Sequence, residues 1–496
     1  MSTSIILSGR PIEYQKQCSI VQRVDGSLTF APVNRFALTL PPELTSQIFL
    51  FCLPPPNWKG EFAKPDPSTA PLLLLSICRQ WRNIALHTPG LWTSLYLDLN
   101  WFRLDLPYHG LHRLFCDWLS RTGDLPLSIR IDEGGCYNVD GELDMRQLFP
   151  VLEMIGRLST RWETIWFSVF PEHLFSVEGR FPRLKKLGVE CSSDFQFEWH
   201  YIDYPPRELR DASMLQEIQL FRAPWTTLTI PPSLPVYLSE KIGVYEGLDI
   251  LRSGTGLSRC TLYLVPDPPR SIIPLPPIAN LQDLTLSECA DTPEPLLVMK
   301  MLKHLTLPSL KNLSLRFEDA DDRLPADITE FISFISRSSL QLKLQTLTLC
   351  LVPTSETRLL QCIQSIPSLV ALQLQLSTPI SVVLDRFTCD ARFLPRLQSL
   401  HVMNYSFLWG HNETEPHQAP DAEQVLEMLA ARYSHEMPGN CVQLQSFRFG
   451  HGRSEAMKLF AARVVSDSRY QKLAGAGMDL FFGDGTAEYD SWYVNN

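Results

Sequence analysis

The chain has 496 residues, 45% hydrophobic and 20% charged, with a net charge of −10. Its 44 Lys and Arg are scattered, which argues against nucleic acid or an anionic membrane as the main partner, since either would want a basic stripe. Twelve cysteines include no CxxC pair, so a zinc site of ordinary spacing is disfavoured, and their mostly apolar neighbours suit small buried hydrophobes in a reducing compartment.

Residues 1–35 are polar with no clear period and are expected to form a loosely ordered lead-in. The opening "MSTSIILSGR" groups only three large apolar residues, too few for a signal-peptide core. No apolar run approaches the roughly 18 residues of a membrane span. A cytoplasmic or nuclear location is therefore expected.

"LTLPPELTSQIFLFCLPPP" (38–56) predicts a short helix. Pro41 and Pro42 suit its first turn, where a missing N–H costs nothing, and Glu43 suits the positive end of the dipole. Leu44, Ile48, Phe51 and Cys52 recur at helical spacing, and Pro54–Pro56 end the element. "NWKGEFAKPDPSTA" (57–70) reads as a solvated loop. "LLLLSICRQWRNIAL" (72–86) predicts one continuous helix with Leu74, Cys78, Trp81 and Ala85 on one stripe, widened by Ile77 and Ile84. Pro89 and Gly90 stop it, and "LWTSLYLDL" changes the period to two, the mark of a strand.

From about residue 120 a recurring L-x-x-L-x-L takes over. Copies are "LKKLGV" (184), "LQEIQL" (215), "LQDLTL" (281), "LKNLSL" (310), "LQTLTL" (344), "LVALQL" (369), "LQSLHV" (397) and "LQSFRF" (444), with "WETIWF" (162) as an early form. First positions lie 29 residues apart from 281 to 310, 34 from 310 to 344, 25 from 344 to 369 and 28 from 369 to 397, in or just above the range of leucine-rich solenoids. The fourth and sixth residues point to one face of a strand, and the first tucks under the incoming turn. Helix-period segments lie between copies: "MRQLFPVLEMIGRL", "PADITEFISFISRS", "SETRLLQCIQSI" and "AEQVLEMLAAR". Strand and helix in alternation demand parallel strands joined by crossovers, stacked so that neighbours bury each other's apolar faces. An irregular α/β solenoid with parallel strands is expected over 98–496, after a helical module over 36–97 whose proline-rich insertion spans 54–71.

"LPPELTSQIF" followed by "ICRQWRNIALHTPGLWTSL" resembles the F-box, the adaptor-binding module of SCF-type ubiquitin ligases. The chain as a whole is similar to the F-box proteins abundant in mushroom-forming fungi, which join this box to a leucine-rich tail. It departs from them in the long 54–71 connection and in lacking the Asn ladder of regular leucine-rich repeats: Glu318 and Val352 stand where that ladder would continue. The resemblance implies that Leu40, Pro41, Leu44, Ile48 and Phe49 dock on a Skp-type adaptor and through it on a cullin, with Cys78 and Trp81 partly core and partly contact. It implies a substrate receptor without catalysis of its own and without cofactor or metal, ubiquitin transfer falling to other subunits. An interaction scaffold acting outside ubiquitination is the alternative.

The fifth motif residue points opposite to the buried pair: Thr285, Ser314, Thr348, Gln373, His401 and Arg448. Singly each is an ordinary solvated strand residue; as a set they are the candidate surface for a protein client. "HNETEPH" (411–417) matches no known metal spacing, and Asp484, Glu488 and Asp490 lack the order of a calcium loop. There is no GxSxG elbow, P-loop or GxGxxG after a strand, so no enzyme active site is expected.

Overall fold

The computed structural model describes residues 40–54, 62–98, 108–132, 149–168, 180–190, 207–208, 211–221, 228–266, 268, 274–288, 296–317, 328–352, 355–376, 380–390, 392–404, 421–433, 441–451 and 455–484. The expected lead-in 1–35 lies outside them, as does 55–61 within the proline-rich insertion.

Helix α1 spans Pro42–Phe51, with Pro at its first position and Glu43 in its first turn. The next helical segment is broken where continuity was expected. Leu72–Ile77 (α2) stops at Cys78, which is extended (φ −158°, ψ 168°), and Arg79–Leu86 (α3) starts afresh. The Cys78 Sγ accepts the Trp81 N–H at 3.4 Å, capping α3, while Arg82 Nε donates at 2.7 Å to the Leu75 carbonyl that the break strands.

Strand β1 (Ser94–Asp98) follows a short 3-10 turn at Pro89–Trp92. The expected division between residues 97 and 98 thus falls inside the first sheet strand. Part of the supposed solvated loop is also docked: Phe62 and Ala63 are buried, the Tyr96 N–H donates to the Ala63 carbonyl at 2.8 Å, and the Ala63 N–H donates to Ser94 Oγ at 3.1 Å. The Tyr96 bond satisfies one backbone group on the free edge of β1, which would otherwise be open to another chain.

Then come α4 (Tyr108–Ser120), β2 (Leu127–Asp132), α5 (Phe149–Arg157), β3 (Trp162–Ser168), β4 (Lys186–Glu190), β5 (Arg207–Glu208), β6 (Glu217–Phe221), β7 (Leu228–Thr229) and β8 (Val236–Gly243). The chain continues with α6 (Val244–Ser253), β9 (Arg259–Val265), β10 (Asp283–Glu288), α7 (Leu297–Leu302), β11 (Asn312–Phe317), α8 (Thr329–Arg337), β12 (Thr346–Cys350), α9 (Glu356–Gln364), β13 (Ala371–Leu376), α10 (Ser381–Cys389) and β14 (Ser399–Asn404). Last are α11 (Ala422–Tyr433), β15 (Ser446–His451), α12 (Glu455–Ser466), α13 (Ser468–Gly475) and β16 (Asp479–Asp484). Strands β5 and β7 pair with each other; the other fourteen form one sheet in strict chain order. Every neighbouring pair in that sheet is parallel. The fold is therefore α/β and solenoid-like, and each of the four expected helix segments contains a helix.

The repeat explains the register. Each motif's first leucine is buried, and most close a turn, as Leu310 N–H does on the Leu307 carbonyl at 3.3 Å. The second residue then bonds to its counterpart one layer earlier. Lys311 donates to Gln282, Gln345 to Lys311, Val370 to Gln345, Gln398 to Val370 and Gln445 to Gln398, all at 2.8 Å. The fourth and sixth residues (Leu284 and Leu286, Leu313 and Leu315, Leu347 and Leu349, Leu372 and Leu374) are buried. They join α1, α3 and the crossover helices in one continuous apolar core. Among the described residues no helix is long and apolar enough to cross a membrane.

Candidate functional site

Two surfaces carry the candidate residues. On α1 the spacing of the sequence separates two faces. Thr45 and Phe49 are buried, whereas Leu44 is 54%, Ile48 47% and Phe51 88% exposed. On α2, Leu73 is 40% and Ile77 51% exposed. Of the ten large apolar residues exposed among the described residues, these five come from the first 77 positions. The exposure is thus concentrated rather than scattered, which single surface leucines would not produce.

The expected adaptor contacts divide accordingly. Pro41, Leu44 and Ile48 are exposed and Leu40 is half-buried. Phe49 is a correction: only 1% exposed, it packs on the Trp81 ring at 4.9 Å and belongs to the chain's own core. Cys78 and Trp81 are half-buried, Cys78 serving as the α3 cap. Phe51 on α1 and Leu73 and Ile77 on α2 are exposed as well. Phe51 was visible as part of the helical stripe; the break at Cys78 was not.

The second surface is the sheet face opposite the leucines. Register places Thr285, Ser314, Thr348, Gln373, His401 and Arg448 directly side by side in one row. None of the six is fully exposed. Thr285, Ser314, Gln373 and Arg448 are half-buried, while Thr348 and His401 are buried, which corrects the expectation of a solvated row. Parallel strands about 4.8 Å apart bring row neighbours into contact, so each shields the next; Thr348 Oγ1 donates to Gln373 Oε1 at 3.0 Å. Burial, helped by the Arg448 charge, lowers the His401 pKa to about 4. Arg448 pairs with Asp479 at 3.3 Å, and Asp479 lies below the usual carboxylate range because it accepts from Ser446 and Arg448.

The same row runs on to the N-terminal end through Thr261, Leu238, Gln219, Gly188, Trp166, Arg130 and Tyr96. There it changes character. The Arg130 guanidinium sits between the Tyr96 and Trp166 rings at 5.4 and 5.2 Å, Lys64 lies 5.2 Å from Tyr96, and Arg130 pairs with Asp132 at 3.4 Å. Tyr96 OH donates to the same Asp132 at 3.2 Å; burial, with two carboxylates near, pushes its pKa up to about 12. Gly188 is required beneath the indole, since a Cβ there would lie 2.1 Å from Trp166 Cε3. The signal for Trp166 was present: it is the fifth residue of "WETIWF".

Among the described residues no three His, Cys, Asp or Glu side chains cluster as a metal set. "HNETEPH" lies outside those residues, as do Glu488 and Asp490, and nothing is described of the Asp484 side chain. No protein-family model matches the chain. No curated protein matches it either. A crystal structure of a structural-genomics target from Bacteroides fragilis is similar at 13% identity with a TM-score of 0.28, covering 60% of this chain and 72% of that one. A likeness of that size carries no conclusion about function.

Proposed function

We propose that this chain is a non-catalytic substrate receptor of an SCF-type cullin ubiquitin ligase. Its first helices dock on a Skp-type adaptor, and its sheet row holds a protein client. The observation that carries the reading is the exposure of Leu44, Ile48 and Phe51 on α1 and of Leu73 and Ile77 on α2, with Phe49 buried on the other side of α1 against Trp81. Such apolar exposure on short helices suits a partner helix laid across it, whose apolar side removes it from water. The order Leu-Pro, Ile-Phe, Cys-Arg-x-Trp-Arg, Leu-Trp, resembling the F-box, names the partner class.

Co-purification with a Skp-type adaptor tests this. The full chain is expected to capture adaptor, and a Leu44→Asp, Ile48→Asp double variant is expected to lose it while keeping its helical circular dichroism. A wild-type chain that captures no adaptor overturns the reading. Adaptor capture with no client changing in abundance on removal of the protein favours instead an interaction scaffold acting outside ubiquitination.

A further inference from the structure

We infer that Cys116, His112 and Met154 form a binding site for one soft monovalent metal ion, copper(I) in class, at the seam between α4 and α5. His112 and Cys116 stand one turn apart on α4, on the same face. The Cys116 Sγ lies 3.8 Å from His112 Nδ1 and 3.6 Å from Met154 Sδ, which α5 brings in from the next layer. With metal–sulfur bonds of about 2.3 Å and metal–nitrogen bonds of about 2.0–2.1 Å, two sulfurs sharing one ion at tetrahedral to trigonal angles stand about 3.8–4.0 Å apart and a sulfur and a nitrogen about 3.6–3.8 Å. Both observed distances come within about 0.2 Å of these values, a side-chain adjustment that leaves both helices in place.

The donor set selects the ion. A thiol, a thioether and an imidazole, with no carboxylate among them, are the soft ligands that favour copper(I) over magnesium or calcium. Access is open, because His112 is exposed and Cys116 and Met154 are half-buried. The buried thiols are the opposite case: burial pushes Cys260 and Cys350 up, so that they resist losing the proton a metal must displace. At Cys116 the ion replaces the thiol proton, which leaves to solvent, and the thiolate–metal, thioether and imidazole bonds form without any change of oxidation state. Bound there, the ion would pin α4 to α5.

The test is anaerobic titration of the full-length protein with copper(I) against a chromogenic chelator. One equivalent is expected to bind, with affinity at least tenfold weaker in Met154→Leu and in Cys116→Ser, and unchanged in a Cys52→Ser, Cys389→Ser variant that removes the two thiols exposed among the described residues. One equivalent should also raise the melting temperature of the wild type and not that of Met154→Leu, a volume-conserving change that keeps the fold. Equal binding by wild type and Met154→Leu would mean adventitious thiol capture only and would overturn the site, as would loss of the bound equivalent in the Cys52→Ser, Cys389→Ser variant. Adaptor capture has no part in these readouts, so the site stands or falls apart from the receptor reading.

Discussion

The Phe49 ring packs 4.9 Å from the Trp81 ring, a contact that helps tie α1 to α3, while the neighbouring residue Ile48 looks outward. Adjacent residues on one helix turn therefore do different work. Phe49→Ala should cost about 3–5 kcal/mol of stability, as large-to-small core changes do. Ile48→Ala should stay within about 0.5 kcal/mol, as a surface change does, yet weaken adaptor capture. Urea unfolding of both variants, beside a capture assay, checks the split. Equal destabilisation by the two changes would show that Ile48 is core and remove the docking face.

Between layers, Arg432 acts as a clamp. Nearly fully buried, it donates from Nε to the Phe387 carbonyl at 3.0 Å and from Nη2 to those of Asp390 and Phe393 at 3.1 and 2.6 Å. These carbonyls belong to the end of α10 and the turn after it. Burial lowers its pKa to about 10, which still leaves it charged at neutral pH. Arg432→Leu should cost about 2–3 kcal/mol by leaving buried carbonyls unpaired. Arg432→Lys should recover little, because a point charge cannot replace the planar fork. Thermal unfolding of the two variants measures this, and a lysine variant as stable as the wild type would contradict it.

The repeat was legible because its first, fourth and sixth positions do one physical job each, so Leu281, Leu284 and Leu286 announce a strand without help from neighbours. Where another residue does that job the copy is hidden. Strand β9 follows the same pattern as Leu257, Cys260 and Leu262, and β8 as Leu234 and Tyr237, all buried. The exposed apolar side of α1 was half legible. Helical spacing found Leu44, Ile48 and Phe51, but spacing alone does not say which side of an apolar helix meets the core. That depended on Trp81 arriving over Phe49, a contact between residues 32 positions apart. The docking of Ala63 on Tyr96 was hidden for the same reason, whereas the break at Cys78 rests on local bonds, Trp81 N–H to Cys78 Sγ and Arg82 to the Leu75 carbonyl, that apolar spacing does not register.

At the N-terminal end of the sheet row, Gly188 has no substitute. A Cβ there would lie 2.1 Å from Trp166 Cε3, a ring already flanked by Arg130 at 5.2 Å and Phe221 at 5.4 Å. Gly188→Ala should therefore displace the indole and cost about 1–3 kcal/mol, the range for overpacked sites. The expected readout is a lowered unfolding midpoint with an altered tryptophan emission spectrum. In a Trp166→Ala background the same glycine change should cost far less, because the clash has been removed. A full cost in that background would place the strain elsewhere.

The protein should lose stability in mild acid through His401. Its pKa is lowered to about 4 by burial first and by the Arg448 charge second, whereas in the unfolded chain it returns to about 6.5. Between those values the unfolded chain takes up a proton that the folded chain refuses, so stability falls as pH drops from about 6.5 and this contribution levels off below about 4. The full effect is on the order of 3 kcal/mol. His401→Gln removes the titrating group while keeping a polar side chain between Gln373 and Arg448, its neighbours in the row. Carboxylates titrate in the lower part of the same range, so the quantity to follow is the difference between the wild type and the variant. Urea unfolding at pH 7, 6, 5 and 4 should show that difference shifting in favour of the glutamine variant as the pH falls, and parallel curves would show that His401 takes up its proton as readily in the folded chain as in the unfolded one.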